Sequence, residues 1–310
     1  MKILVTGGAG YIGSILIPKL LQAGHEVTVF DNFMYKQNSL WHVCHEPRLR
    51  IIRGDVRNRD LISRFIKEND VIIPLAAIVG APACDRDPWL AKEVNYESVR
   101  ILAESVSMQQ MILFPVTNSG YGIGENGVYC DEQSPLRPIS LYGRTKVEAE
   151  KILLDKGNAV TFRLATVFGA SPRMRLDLLV NDFVYRAVRD RYVVLFESHF
   201  KRNYIHIQDV AGVFVFGIEN YTKMRGQPFN VGLSDANISK KELCFKIKEH
   251  IPDFHIFESE IGKDPDKRNY IVSNRKIESM GFIPQFSLDM GIQELIKAYS
   301  CIHLHSFKNA

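Results

Sequence analysis

The chain has 310 residues, of which 46% are hydrophobic and 24% are charged, and its formal net charge is +4. This length accommodates a full α/β core and a second lobe, and the scattered basic residues suit an anionic small substrate but give no support for a nucleic-acid partner. No apolar run reaches the roughly 18 residues of a membrane span, and the five cysteines follow no metal-binding or disulfide spacing. Because a predicted core strand comes first, we expect no signal peptide. We expect a cytoplasmic protein with no metal site and no membrane partner.

The first predicted element is a short buried strand over 3–5 that runs into a glycine-rich turn. Gly7, Gly10 and Gly13 precede a segment with helical apolar spacing, so the turn points the free N–H groups of a helix N-terminus at whatever lies above it. Glycine lets the backbone turn tightly and lets a phosphate approach closely. The pattern predicts a pyrophosphate site, although a nucleotide-free α/β turn would share it. The predicted cofactor contacts in this turn are Gly7, Gly10, Tyr11, Ile12 and Gly13.

A second predicted strand, over 26–30, ends in Asp31. A dinucleotide-binding fold places a carboxylate about 20 residues beyond the glycine motif, where it accepts hydrogen bonds from the adenosine ribose. The charge of Asp31 would repel a 2′-phosphate, so the sequence favours NAD over NADP. Asn32 is included with Asp31 among the predicted cofactor contacts.

The third and fourth predicted strands supply the rest of the cofactor wall. Asp55 follows the third strand, over 49–53, and suits the adenine amino group with Val56 on the ring face; the alternative is that Asp55 caps the next helix. The fourth strand, over 71–77, is apolar throughout, as expected for a parallel strand covered on both faces. Its small final residues leave space for a dinucleotide, and the predicted contacts are Leu75, Ala76 and Ala77.

Polar residues then appear at two places where apolar ones would be expected. Asn95 lies inside a predicted helix over 89–108, and because Asn is a poor helix former it is there either for a polar contact, which we assign to the cofactor, or merely as an exposed residue.

The fifth strand leads into Thr117, Asn118 and Ser119. Ligand chemistry in doubly wound sheets takes place at the C-terminal ends of strands, so these three residues are candidates for contact with the substrate.

Tyr142 and Lys146 are four residues apart in a predicted helix and therefore share one face. A tyrosine with an ordinary pKa of about 10 is a weak base at neutral pH, but a lysine ammonium one turn away favours the phenolate and lowers that pKa by about a unit or more. Such a tyrosine can take a proton from an alcohol while NAD takes the hydride. Thr117 could bind the same substrate oxygen. A surface Tyr/Lys pair without function is the alternative.

The second half of the chain alternates strands and helices again. We assign 1–168 to an α/β, Rossmann-type NAD-binding domain with a doubly wound parallel sheet, to which the chain returns over about 203–232. The ranges 169–202 and 233–310 are assigned to a smaller C-terminal α/β substrate lobe. Predicted strands cover 160–169, 192–196 and 229–232, and predicted helices cover 178–189, 239–251 and 288–299.

Basic residues cluster in regions that should overhang the crevice, namely Arg173, Arg175, Lys201 and Arg202. The arginines predicted to contact the substrate are Arg173, Arg175, Arg202 and Arg268. Arginine suits bidentate recognition of phosphate, so we expect one or two of them to hold the diphosphate of a substrate. For each one, a solvated surface charge is the alternative.

Together these motifs resemble the extended short-chain dehydrogenase/reductases that act on nucleotide sugars. The matching stretches are TGGAGYIG, GDV, YGRTK, RNYIHIQDVA, FNVG and SNRKIESMGFIP. The resemblance implies that Thr117, Tyr142 and Lys146 form the catalytic triad, that Tyr142 is the base and that Lys146 also binds the nicotinamide ribose. It further implies a homodimer or homotetramer paired through helices near 92–108 and 142–156.

Departures from that family's patterns narrow the reaction. The sugar 4,6-dehydratases of the family carry Asp-Glu directly after the threonine, where this chain has Asn118 and Ser119. The reductase and 3,5-epimerase branches carry a cysteine at the position of Ser119. Dehydration and proton exchange beside a ketone therefore lack their acid and base groups. What remains is redox chemistry at one carbinol, C4: epimerisation through a transient ketone, or net oxidation.

Longer stretches resemble one group within the family, the bacterial GDP-manno-heptose 4-dehydrogenases of capsule biosynthesis. These stretches are IIPLAAIVGAP, TNSGYGIGE, FRLATVFGASPRMRLDLLVNDF and DPDKRNY. The resemblance implies oxidation of a GDP-sugar, GDP-D-glycero-manno-heptose, to its 4-keto form, with NADH reoxidised by a 2-keto acid such as 2-oxoglutarate. The alternatives are a nucleotide-sugar 4-epimerase and, outside the enzymes, an NAD-binding scaffold or sensor.

Overall fold

The structure is a computed structural model that describes residues 1–125, 127–259 and 268–301. Its strands are β1 (Lys2–Thr6), β2 (Glu26–Asp31), β3 (Leu49–Arg53), β4 (Val71–Pro74), β5 (Met111–Thr117), β6 (Tyr129–Cys130), β7 (Ala159–Leu164), β8 (Thr166–Phe168), β9 (Tyr192–Phe196), β10 (Lys201–His206), β11 (Gln227–Val231), β12 (Asn237–Ser239), β13 (His255–Ser259) and β14 (Ile271–Val272). Its helices are α1 (Gly13–Gln22), α2 (Arg59–Lys67), α3 (Ala81–Arg86), α4 (Pro88–Lys92), α5 (Ser98–Ser105), α6 (Leu141–Lys156), α7 (Leu179–Arg189), α8 (Ile207–Glu219), α9 (Tyr221–Met224), α10 (Lys240–His250), α11 (Arg275–Ser279) and α12 (Leu288–Ser300). Short 3₁₀ turns cover Trp41–Val43 and Asn118–Tyr121, and a π turn covers Glu93–Glu97.

A seven-stranded sheet forms the centre of the described chain, in the order β11-β7-β5-β4-β1-β2-β3. Every pairing within it is parallel. The chain winds outward from β1 to β3 and then crosses back to β4, so the strand order reverses between β1 and β4. Such a switch point opens a crevice at the C-terminal ends of the strands. The predicted doubly wound parallel α/β fold is confirmed.

Apolar side chains are buried on both faces of this sheet. In β1, Ile3 and Val5 belong to the core cluster shared with helices α1 and α8, whereas Leu4 belongs to the cluster shared with α2, α5 and α6. Successive side chains of a strand point to opposite faces. Since helices cover both faces, β1 is apolar from Ile3 to Val5. The buried strand leads directly into the glycine turn, which begins at Gly7.

The strand predicted over 160–169 is divided into β7 and β8. The chain leaves the main sheet at Ala165, whose N–H donates to the carbonyl of Val231 at 2.9 Å, and β8 then pairs with β10 instead. Within the stretch 203–232 that was predicted to return to the main sheet, only β11 does so; β10 lies between β8 and β12 in a second sheet.

The helix predicted over 89–108 is also divided, into α4, a π turn and α5. The fourth strand is shorter than predicted, because β4 ends at Pro74 and the next three residues continue as irregular chain along the crevice. The π turn and the irregular chain after β4 both lie beside the crevice. Irregular backbone of this kind often occurs at functional sites.

Outside the central sheet, the described chain forms small sheets and, within the ranges assigned to the second lobe, helices α7, α10, α11 and α12. β8, β10 and β12 form a mixed sheet, β9 pairs with β13, and β6 pairs with β14. Helices α7, α10 and α12 begin and end within a residue of their predicted limits, and α10 begins with a capping box between Ser239 and Glu242. The boundaries assigned to the two domains stay a prediction. Across the described ranges, no helix is long and apolar enough to cross a membrane.

Candidate active site

A cavity of ≈ 950 Å³ opens at the C-terminal ends of the central strands and extends to β8. This volume is near the upper end of the roughly 300–1,000 Å³ that small-molecule sites occupy. Most of the residues that the sequence singled out line it. These are Gly7, Gly10, Tyr11, Ile12, Gly13, Asp31, Asn32, Asp55, Val56, Leu75, Ala76, Ala77, Thr117, Tyr142, Lys146, Arg173, Arg175, Arg202 and Arg268.

The glycine turn has the geometry that a dinucleotide needs. Gly7 has a φ of +67°, and a Cβ at this position would lie 2.6 Å from the backbone nitrogen of Ala76. A Cβ at Gly13 would lie 2.3 Å from the carbonyl oxygen of Gly8. The residue before helix α1 is Ile12, whose side chain offers no acceptor to the amides of the first turn. These amides therefore suit a ligand oxygen, and the turn fits a pyrophosphate.

Two aspartates line the cavity where strands β2 and β3 end, at the predicted adenosine site. Asp31 accepts hydrogen bonds from the N–H groups of Ala9 and Phe33, at 3.0 and 2.7 Å, and burial raises the pKa of its carboxyl group. Asp55 is held by Arg57, whose hydrogen bonds keep the pKa of that carboxyl below its ordinary value. The alternative that Asp55 caps helix α2 is wrong, because the Asn58 side chain caps it.

Tyr142 and Lys146 are brought to the cavity by helix α6, which begins after Ser140, its N-cap. Burial raises the pKa of Tyr142 to about 12, and the positive charges of Arg175 and Arg268 oppose that shift. Burial also lowers the pKa of Lys146 to about 7, although the carboxylate of Glu150 opposes it. The Lys146 ammonium lies 3.8 Å from the centre of the Phe114 ring, so a cation–π contact stabilises its charged form in part.

These pKa values differ from the sequence-based expectation that Lys146 lowers the pKa of Tyr142. In the protein without ligands, desolvation dominates for both groups, and the cations that favour the phenolate are Arg175 and Arg268. Neither burial nor these two arginines could be inferred from the i, i+4 spacing, since both arginines come from the second half of the chain.

Thr117 ends strand β5 on the cavity wall. Its hydroxyl oxygen accepts from the Ser119 N–H at 3.1 Å and lies 2.9 Å from the Ser119 hydroxyl. Asn118 and Ser119, predicted as substrate contacts, are buried and are absent from the described cavity lining. Of these three predicted residues, only Thr117 therefore lines the cavity.

Asn95 is also absent from the described lining, contrary to its assignment as a cofactor contact. Its buried amide accepts from the Ile78 N–H at 2.8 Å and donates to the Ile78 carbonyl at 2.9 Å. The polar role is therefore confirmed and the exposed alternative is wrong, but the partner is the backbone of the chain beside the cavity. Ile78 itself lines the cavity, so Asn95 supports the wall from behind.

The four predicted arginines all line the cavity, in different surroundings. Arg175 forms a two-fold hydrogen bond with Asp177, at 3.1 and 2.5 Å, and Arg173 stacks at 4.0 Å on the ring of Tyr35. Sequence reasoning missed Tyr35 and Asp177. Tyr35 stands in a polar, aromatic stretch just after Asp31, which was the only signal available for it.

A glycine turn that fits a pyrophosphate and a Thr/Tyr/Lys group on one wall of a switch-point crevice are typical of a Rossmann-type enzyme of the short-chain dehydrogenase class. The chain belongs to the NAD dependent epimerase/dehydratase family, whose model matches residues 3–232. Its cofactor is NAD, as the sequence predicted.

Known proteins similar to this chain act on several nucleotide sugars, according to their names. UDP-glucuronic acid decarboxylase 1 of Arabidopsis thaliana is 28% identical over 313 residues, which cover 96% of this chain and 70% of the relative. UDP-glucose 4-epimerase of Streptococcus mutans is 28% identical over 320 residues, 92% of each chain. The structure of UDP-glucuronic acid 4-epimerase from Bacillus cereus, with UDP-glucuronic acid and NAD, superposes with a TM-score of 0.85 at 24% identity and covers 97% of this chain and 99% of that one. At this identity the superposition shows the fold.

Proposed function

We propose that this enzyme oxidises the C4 hydroxyl of a nucleotide sugar, GDP-D-glycero-manno-heptose, to the 4-keto sugar. The observation that carries the proposal is the composition of the wall at the end of β5. Thr117, Tyr142 and Lys146 line the cavity there, while the two positions after the threonine hold Asn118 and Ser119, which have no group for dehydration. Thr117, Tyr142 and Lys146 can remove a proton from one alcohol, and the two residues after Thr117 supply no acid and base for dehydration.

A nucleotide sugar is the substrate class that the surroundings support. Arg175, Arg202 and Arg268 place guanidinium groups along the cavity, and guanidinium recognises the oxygens of a diphosphate well. The relatives named above act on UDP-sugars. The GDP-heptose identity rests on the resemblance of the long segments to the GDP-manno-heptose 4-dehydrogenases.

The residues of this chain divide the chemistry among them. The glycine turn, Asp31 and Asp55 would hold NAD, and NAD when bound accepts the hydride from C4. Tyr142 takes the proton of the C4 hydroxyl, and Thr117 binds the same oxygen. Arg175 and Arg268 favour the phenolate that this requires. Reduction of a 2-keto acid such as 2-oxoglutarate to the 2-hydroxy acid would consume the hydride and the proton released from the sugar, which would balance the oxidation.

The second candidate is a nucleotide-sugar 4-epimerase, and the relationship to UDP-glucose 4-epimerase favours it. Such an enzyme uses the same residues but returns the hydride to the opposite face of the ketone. An NAD-binding scaffold without activity has no use for a Tyr/Lys pair on the cavity wall, so this alternative is less well supported than either enzyme.

Mass spectrometry and proton NMR of the sugar nucleotide separate these candidates. Purified protein is incubated with GDP-D-glycero-manno-heptose, with and without 2-oxoglutarate. Loss of two hydrogens that depends on the keto acid supports the dehydrogenase. An unchanged mass with a new C4 coupling pattern identifies an epimerase, and an unchanged spectrum in both samples contradicts this substrate.

Substitution of Tyr142 by Phe tests the mechanism. The change removes the proton acceptor without changing the packing, so we expect turnover to fall by about 10²- to 10⁴-fold while NAD remains bound. The exposed Tyr192 provides the matched control, since Tyr192→Phe should leave turnover unchanged. Wild-type turnover in Tyr142→Phe would contradict the assignment.

A further inference from the structure

Hydrogen bonds join the segment that follows β8 to the glycine turn and the start of helix α1. The hydroxyl of Ser171 donates to the carbonyl of Tyr11 at 2.9 Å and lies 2.8 Å from the hydroxyl of Ser14. The hydroxyl of Tyr11 donates to the carbonyl of Gly169 at 2.7 Å. These bonds join the start of helix α1 to the segment that carries Arg173, so the position of Arg173 relative to the cofactor turn is fixed by the fold.

Arg173 reaches the adenosine end of the cavity from this anchored segment. It is 2% exposed, and its guanidinium carbon lies 4.0 Å from the centre of the Tyr35 ring. Tyr35 is four residues beyond Asp31, on the loop after β2, and both residues line the same cavity as Arg173. The stacked pair thus joins the two walls of the cavity at the end where Asp31 lies.

The effect of Arg173 on the pKa of Asp31 agrees with a position of Arg173 near Asp31. Arg173 interacts with Asp31 and lowers the pKa of that carboxyl group, against the effect of burial. Arg175, two residues later, is bonded to Asp177 and acts on the pKa of Tyr142. The sequence assigned both arginines to the substrate diphosphate, whereas Arg173 lies over the ring of Tyr35 and interacts with Asp31, the residue predicted to bind the adenosine ribose.

We propose that Tyr35 and Arg173 form a clasp on the adenosine half of NAD that holds the cofactor between turnovers. The planar guanidinium stacks on the phenol ring with one face and presents N–H donors and positive charge toward a ribose or phosphate oxygen of the dinucleotide. Arg173 serves the cofactor and not the substrate diphosphate. This inference requires that the protein binds NAD, and it does not depend on which sugar is the substrate.

The rate at which NADH leaves the protein tests the clasp. Protein loaded with NADH is diluted into excess NAD⁺, with no sugar present, and the loss of bound-NADH fluorescence is followed. We expect Arg173→Met and Tyr35→Leu each to release NADH about tenfold faster than wild type. Tyr35→Phe keeps the ring and should stay within about twofold of wild type. The double variant should be no faster than either single variant, since each change already breaks the pair.

Arg268→Met is the matched control, because it also removes a guanidinium that lines the cavity, one that acts on the pKa of Tyr142 and has no described contact with Tyr35 or Asp31. Its NADH release should equal that of wild type. Wild-type release in Arg173→Met, whether or not the KM for the nucleotide sugar rises, would overturn the clasp. Tyr35 lies on a partly exposed loop, so Tyr35→Leu remains informative if Arg173→Met fails to fold. A failure of the GDP-heptose proposal leaves this measurement unaffected.

Discussion

Lys146 lies in surroundings that disfavour its charge. The side chain is 4% exposed, and burial lowers its pKa from the ordinary 10.5 to about 7. Between these two pH values the unfolded chain binds a proton that the folded chain does not, so the free energy of unfolding rises with pH in this window. Below pH 7 the folded protein bears the full penalty of a buried charge.

We therefore expect Lys146→Met to inactivate the enzyme and yet to stabilise the NAD-free protein. The gain should be about 1 to 4 kcal/mol at about pH 6 and should shrink as the pH rises toward 10.5. Urea unfolding of NAD-free protein at several pH values measures it. Lys151→Met, on the exposed side of the same helix, should show no such pH dependence. A variant less stable than wild type at low pH would contradict the expected sign.

At the scale of elements, the turn between β1 and α1 leaves no room for a side chain. Gly7→Ala combines a left-handed φ of +67° with a contact of 2.6 Å to the backbone of Ala76. We expect a loss of about 1 to 3 kcal/mol in stability and an NAD affinity more than about tenfold weaker, as measured by thermal unfolding and NAD titration. The control is Gly212→Ala in helix α8, where the nearest atom is 3.9 Å away and a gain of about 0.5 to 1 kcal/mol is expected.

Helix α6 is joined to strand β7 by a buried carboxylate. Glu150 accepts from the Thr161 hydroxyl at 2.6 Å and from the Arg163 Nε, 3.1 Å from each carboxylate oxygen. Removing its charge leaves the buried Arg163 guanidinium without this carboxylate, so Glu150→Gln should lower the free energy of unfolding by about 3 to 5 kcal/mol. The exposed Glu148→Gln on the same helix should change it by less than about 0.5 kcal/mol. Equal effects of the two changes in denaturant unfolding would show that the pair does not stabilise the fold.

At the scale of the whole molecule, the resemblance to the extended short-chain dehydrogenases predicts pairing of two subunits through the helices near 92–108 and 142–156. Light scattering should give a mass of at least twice the 35.3 kDa of one chain. A monomer at micromolar concentration would remove this expectation. If the protein is a monomer, an activity assay on the same sample shows whether a single chain is sufficient for catalysis.

The features that the sequence determined are local ones. The apolar run of β1, the glycine spacing before α1 and the carboxylate of Asp31 lie within about 30 consecutive residues, where chain geometry alone relates them. The i, i+4 spacing likewise sets Tyr142 and Lys146 on one face of α6. Such patterns survive any tertiary arrangement, and for this reason the parallel fold and NAD could be predicted.

Only the tertiary structure decided what surrounds these groups. The transfer of β8 to a second sheet depends on pairing with β10, which is distant in sequence. The bond of Asn95 to Ile78, the stacking of Arg173 on Tyr35 and the lowered pKa of Lys146 depend equally on distant segments packing together. Burial, ion pairing and cation–π contact are set by neighbours in space, and sequence spacing carries no information about those neighbours.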